Sequence, residues 1–245
     1  MTRLFDRGTI INVGIGTLAD AVSQSGGEVA QVQWTPPADG DRESGLALAK
    51  LVDHPAVEAA NREAFGRYLA AQPVLVGIGA AREVIPGMGD RMLLHAGPPI
   101  AWEQMCGPMQ GAVVGAILYE RWATSQEEAR RLAGSGKIAF APCHHHAAVG
   151  PMAGIISPSM PVWVVENTAA GNRAYCNLNE GLGKVLRFGA NSPEVLDRLR
   201  WLGGEFFDTM QVAVRGLADP DLKPLMAQAL HMGDELHNRN AAASA

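Results

Sequence analysis

Apolar positions along this chain recur with two different periods. Residues 9–15 form a continuous apolar run with β-branched members, the pattern of a strand buried on both faces. After Gly16 and Thr17, residues 18–24 read as a short helix ended by Gly26 and Gly27, and residues 28–34 as a second strand stopped by Pro36 and Pro37. Residues 43–53 and 55–71 carry helical periodicity, and residues 73–78 form a third apolar strand. Strand and helix in alternation predict a parallel sheet with the three strands adjacent and helices packed on it.

The middle of the chain is more helical. Residues 108–123 carry Gly111, Ala112, Gly115 and Ala116, a small-residue face that lets another backbone approach closely. Ser125 and Glu128 have the spacing of a capping box, which opens a helix expected to end near Gly134 or Gly136. Strands are expected at 92–94, 138–142 and 162–166, and the Asn- and Gly-rich residues 167–177 read as a loop. Ser192-Pro193-Glu194 starts a further helix with Ser as its cap, and apolar positions 195, 196, 199, 202, 206, 210 and 214 follow its period. Asp219-Pro220 starts a last helix running towards Asn238. The expected fold class is α/β: a Rossmann-like parallel-sheet domain over residues 1–100, a helical segment over 101–136, and α+β and small helical parts over 137–245.

Composition narrows the function classes. At 245 residues and 47% hydrophobic, the chain can bury a substantial core and is not a disordered tail. A formal charge of −5 with no run of Lys or Arg argues against a nucleic-acid binder. The three cysteines, Cys106, Cys143 and Cys176, are odd in number and widely spaced, which indicates neither a disulfide framework nor a zinc ribbon. Residues 1–8 lack an apolar core segment, and the longest small-apolar run, 111–119, is too short for a bilayer span, so a cytoplasmic setting without membrane association is expected.

Several segments carry candidate chemistry. Gly14 and Gly16, with Ala19 in the third place, form either a nucleotide-cradling turn or an empty tight turn; no cofactor is expected. Gly79 ends the third strand, where ligands of open α/β sheets collect, and Arg82 just beyond is either an anion clamp or a surface arginine paired with Glu83 or Asp90. His95, followed by Gly97, Pro98 and Pro99, sits on a stiff loop. It is placed either to donate to an oxyanion and move a proton, or to bond the local backbone. Cys106 reads as buried and inert. In Cys143-His144-His145-His146 an extended backbone puts His144 and His146 on one side. That spacing is poor for a metal, so no metal is assigned, and an anion or acid/base role is the alternative. Beyond the apolar part of the last helix, His231 shares a face with Asp234 and Glu235, where a carboxylate would orient the ring.

Ile11-Asn12-Val13-Gly14, Trp34-Thr35-Pro36-Pro37, His95-Ala96-Gly97-Pro98-Pro99-Ile100, Trp102-Glu103 with Met105-Cys106-Gly107, Ser157-x-Ser159-Met160 and the segment from Ala229 through His231 to Asn240 occur in this order. Together they resemble the AllG/YlbE-like family, which includes a subunit of oxamate carbamoyltransferase in allantoin degradation. Members of the family continue past the His-Asn-Arg-Asn segment, so this chain is expected to be a fragment, a processed chain or a split subunit. The resemblance implies a multi-subunit enzyme in which phosphate attacks the carbamoyl carbonyl of oxalurate, releasing oxamate and forming carbamoyl phosphate. Other subunits and a small ureido-carboxylate would then be the partners.

That chemistry needs anion clamps, for which Arg82, Arg173 and Arg239 are candidates, with Gly79 and Gly97 offering close backbone. It also needs oxyanion donors and a proton for the leaving nitrogen, for which His95, His144, His231 and Glu235 are candidates. At least two of the His95, His144–His146 and His231–Glu235 segments are expected in one cleft near Gly79 and Arg82. The competing classes are a non-catalytic scaffold, with the small-residue helix as its packing face, and a metal-dependent amidohydrolase using His144, His146 and Glu235.

Overall fold

A computed structural model describes residues 9–35, 37–150, 154–178, 185–217 and 220–233. The chain divides into two compact units, Met1–Leu69 and Ala70–Ala245. Among the described residues no helix is long and apolar enough to cross a membrane.

In the first unit, β1 (Ile10–Val13) and β2 (Val29–Val32) pair in parallel, in register from Ile10 opposite Val29 to Val13 opposite Val32. Helix α1 (Gly16–Gln24) makes the crossover. Gly14 has a φ of +119°, which only glycine adopts without strain, so it sets the sharp exit from β1. The Gln31 side chain donates to the Gly14 carbonyl at 3.0 Å. Helices α2 (Arg42–Val52) and α3 (Pro55–Ala70) follow, α2 capped by the Asp41 carboxylate accepting from the Ser44 N–H at 2.7 Å.

The second unit holds two mixed sheets. One runs β3 (Pro73–Ala80), β8 (Pro161–Asn167), β9 (Asn172–Asn177), β6 (Ala148–Val149); the other runs β5 (Ala139–Pro142), β4 (Met92–His95), β7 (Ile155–Ile156). The fold is α/β, but the expected three-stranded parallel sheet does not form. Strand β3 pairs antiparallel with β8 rather than beside β1 and β2, and neither β1 nor β2 carries a buried residue. An apolar run marks a strand, whereas its neighbour and direction are chosen by a partner nearly ninety residues away. The expected loop at 167–177 contributes only a tight turn at 168–171; Tyr175 and Asn177 on β9 point inward with period two.

Helix α5 (Gly107–Tyr119) is apolar all round and lies at the centre of the larger core, with Val113, Val114, Ala116 and Ile117 fully buried. Its small-residue face is occupied from within the chain. A Cβ on Gly111 would stand 2.4 Å from the Gly189 carbonyl oxygen, so the backbone after the 186–188 turn fits only against glycine. The face therefore serves internal packing and is not free for another subunit. Helix α6 (Gln126–Ala133) starts as expected, with Ser125 Oγ accepting from the Glu128 N–H. The Glu128 carboxylate accepts from the Thr124 N–H and hydroxyl, one residue earlier than a capping box requires.

The helix expected from residue 193 is interrupted by a kink at Gly204, whose φ of −121° and ψ of −106° are not helical. Helix α7 (Pro193–Trp201) passes through a π-helical turn, Leu202–Phe206, into α8 (Phe207–Gly216). A Cβ on Gly203 would meet the Tyr119 hydroxyl at 2.4 Å, which explains the glycine at this crossing. Ser192 occupies the cap position, yet its hydroxyl makes no capping bond. Helix α9 (Leu222–His231) is capped by Asp221.

Candidate functional site

Strands β4 and β5 run parallel, Met92 opposite Ala139 and His95 opposite Pro142. Their carboxyl ends therefore deliver the 96–99 loop and the Cys143–His146 turn side by side, the edge where ligands of such sheets collect. His95 is the last residue of β4 and is only 1% exposed. Its Nδ1 accepts from the Gly97 N–H at 3.0 Å, so in the neutral ring the proton is on Nε2. Burial, and after it the charge of His144, hold the His95 pKa below its usual 6.5, which keeps the ring neutral.

Gly97 has a φ of +91° and precedes a cis peptide bond to Pro98. A Cβ at Gly97 would stand 3.6 Å from His144 Cε1 and from Pro142 Cβ, so the loop is in van der Waals range of the His144 ring. The three consecutive histidines are not extended. They form one 3-10 turn closed by Ala147 at a φ of +52°, and they divide the work. His144 is exposed and meets the His145 ring edge-on at 4.5 Å. His146 Nδ1 donates to the Pro86 carbonyl at 2.8 Å and braces the Pro86-Gly87 loop. Cys143 is buried, and burial raises its thiol to about 11, far from nucleophilic at neutral pH. Among the described residues no three His, Cys, Asp or Glu side chains converge to hold a metal ion.

His95, Gly97 and His144 are thus brought together, and the other described candidates are not. Gly79 is buried against Val84, whose Cγ1 a Cβ would meet at 2.3 Å, so this glycine serves packing between β3 and α4 (Ala81–Val84). Arg173 is paired with Glu166 across β8 and β9 at 2.8 Å and is not free for an anion. His231 ends α9 at the surface, along β3. Glu235 and Arg239 lie outside the described residues. Cys106 is exposed at the cap of α5 rather than buried.

Arg82 faces a different place. With Asp90, Arg91, Glu120, Arg121 and Trp122 it lines an open cavity of about 600 Å³. Arg91 and Asp90 directly precede β4, so this cavity lies at the amino end of the strand whose carboxyl end holds His95. Arg82 makes no ion pair with Glu83 or Asp90. Arg91, Arg121 and Glu120 were not singled out by sequence. The available signal was the end of α5, where Arg121 stands at the position after the cap that usually takes glycine.

Residues 138–245 match the family described as "Oxamate carbamoyltransferase subunit AllG". The chain is 46% identical over 236 residues to the "Uncharacterized protein YahG" of Escherichia coli K12, covering 95% of this chain and 50% of that protein. It is 47% identical over 194 residues to the "Oxamate carbamoyltransferase subunit AllG" of the same organism, covering 77% of this chain and 46% of that one. A crystal structure of a conserved protein of unknown function from Enterococcus faecalis V583 aligns with a TM-score of 0.73 at 48% identity, over 77% of this chain and 45% of that one. The chain therefore spans about half the length of the curated relatives it matches.

Proposed function

Because this chain is AllG-like, we propose that it is part of a subunit of a carbamoyl-transfer enzyme that works with other subunits in the cytoplasm on oxalurate or a related ureido-carboxylate. The observation that carries the reading is the meeting of His95, Gly97 and His144 at the carboxyl ends of two parallel strands, within a chain of that family. In the reaction a phosphate oxygen adds to the carbamoyl carbon of oxalurate. The bond from that carbon to the oxamate nitrogen then breaks, and the proton that phosphate brought ends on the departing nitrogen. Carbamoyl phosphate and oxamate are the products.

In this reading the imidazole of His144 carries that proton, which its exposure at the strand ends supports. His95 is a positioning residue: its neutral ring holds the Gly97 N–H and fixes the loop against which His144 rests. The test is formation of carbamoyl phosphate from oxalurate and phosphate by the full-length protein with its partner subunits. His144→Gln should lower kcat by roughly 10²-fold or more, with a smaller change in KM. Unchanged turnover in His144→Gln removes this residue from the mechanism, and a complete complex inert towards oxalurate removes the substrate assignment.

A further inference from the structure

The cavity at the amino end of β4 has no part in the reading above, and its lining points to a ligand of its own. Arg82, Arg91 and Arg121 all border it, and none of the three has an ion pair among the described residues. Arg42, Arg130, Arg198 and Arg215 also lack an ion pair among the described residues, but none of them lines this cavity; what sets the three apart is that they meet there. Of the two acids on the rim, Glu120 is already committed. Its Oε1 accepts from the Ser157 hydroxyl and from the Ser159 N–H at 2.8 Å, which ties the end of α5 to the turn before β8. Asp90 is the other, so three guanidinium groups face two carboxylates.

The three arginines are also held in position. Arg91 lies over the Trp122 ring with its Cζ 4.9 Å from the ring centroid, a cation–π contact that restrains the side chain. Arg121 follows α5 at a φ of +57°, with its N–H bonded to the Leu118 carbonyl and the Trp122 N–H to the Ile117 carbonyl, the double closure of a Schellman turn. Glycine suits that position best, and an arginine there bears backbone strain to place its side chain at the cavity mouth. The main chain at Arg82 is fixed to the cavity wall, its N–H donating to the Pro158 carbonyl at 2.9 Å.

We propose that this cavity is an oxyanion-binding site, in which Arg82, Arg91 and Arg121 receive a phosphate or a small dicarboxylate through bidentate, charge-assisted hydrogen bonds. The two anion types share that chemistry, and separate titrations distinguish them. The full-length protein is titrated calorimetrically with inorganic phosphate and, in a second series, with oxalate, at an ionic strength held constant with sodium chloride. Saturable binding of either probe is expected, and the tighter one identifies the ligand type. Arg121→Gly and Arg91→Gln should each weaken that binding roughly tenfold or more. Arg198→Gln, an exposed arginine on α7 outside the cavity, should leave it unchanged. Because glycine fits the Schellman position, Arg121→Gly should unfold at no lower temperature than the parent, so its loss of binding is not a loss of fold. Failure of both probes to bind overturns the proposal. So does a titration in which neither cavity substitution weakens any component of the binding, or in which Arg198→Gln weakens it equally; a phosphate component that both cavity substitutions leave intact belongs to the substrate site proposed above. Neither result bears on His144, whose substitution is read by turnover.

Discussion

Replacing His95 by Asn separates the two properties of its ring. An Asn carboxamide oxygen can accept the Gly97 N–H that Nδ1 now accepts at 3.0 Å, while the Nε2 edge and the titrating proton disappear. In the folded protein, burial and the neighbouring His144 lower the His95 pKa from 6.5. The unfolded chain therefore takes up a proton near pH 6.5 that the folded chain refuses. The stability linked to this group is complete above that pH and is lost as the pH falls towards the folded value. The slope in that window approaches about 1.4 kcal/mol per pH unit for one proton. The smaller Asn side chain leaves part of a buried site unfilled, which costs roughly 1–3 kcal/mol at neutral pH. Urea unfolding of both proteins at several pH values between about 5 and 7.5 measures the two effects together. His95→Asn should be the less stable above pH 6.5, and the gap should narrow as the pH falls, because only the parent carries the refused proton. A gap that stays constant across the range would show that His95 is protonated equally in both states, and the account of a neutral, buried ring would fail.

Gly111→Ala should destabilise the second unit by about 1–2 kcal/mol despite the better helix propensity of Ala, because the new Cβ meets backbone atoms of Gly189 that cannot rotate away. An unchanged or raised urea midpoint would refute that. Among the three thiols, Cys106 should be alkylated first at mildly alkaline pH and Cys143 last, since Cys143 is buried with its pKa pushed up to about 11. Peptide mass mapping after timed iodoacetamide treatment reads the order, and early labelling of Cys143 in the folded protein would contradict it.

Much of the secondary structure is legible in local pattern, because it is a local property. The crossover of β1, α1 and β2 is marked by β-branched runs and paired glycines. The pairing of β3 is not, since an apolar octapeptide suits a parallel or an antiparallel neighbour equally, and β8 is the strand that covers it. At 167–177 the turn-forming Asn and Gly residues outweighed a weak alternation, although only four of those positions make the turn. The candidate site divides in the same way. His95 and His144 could be chosen by residue type and by the stiff loop beside them, and the parallel register of β4 and β5 brings them together. The separation of Gly79, Arg173 and His231 from that place depends on long-range packing that no short motif carries. The arginine cavity is not legible in the sequence because its lining comes from four separate segments, and because Arg121 looks like an ordinary helix residue until its backbone conformation is known.

The two ends of β4 impose a limit on what one small molecule can do. At ~3.3 Å per residue, the four steps from Arg91 to His95 span about 13 Å. A general acid must come within ~3 Å of the atom it serves. An oxyanion held by Arg91 and Arg121 at the amino edge, as proposed, is therefore a different molecule from the one that the chemistry proposed for His144 acts on at the carboxyl edge. The strand between them is short and its central residues, Leu93 and Leu94, are fully buried in separate apolar clusters, so the two places are held at a fixed spacing by packed core. On the two proposals above, both reactants must meet at the carboxyl edge, and the ligand at the amino edge is a third molecule, separate from the reacting pair.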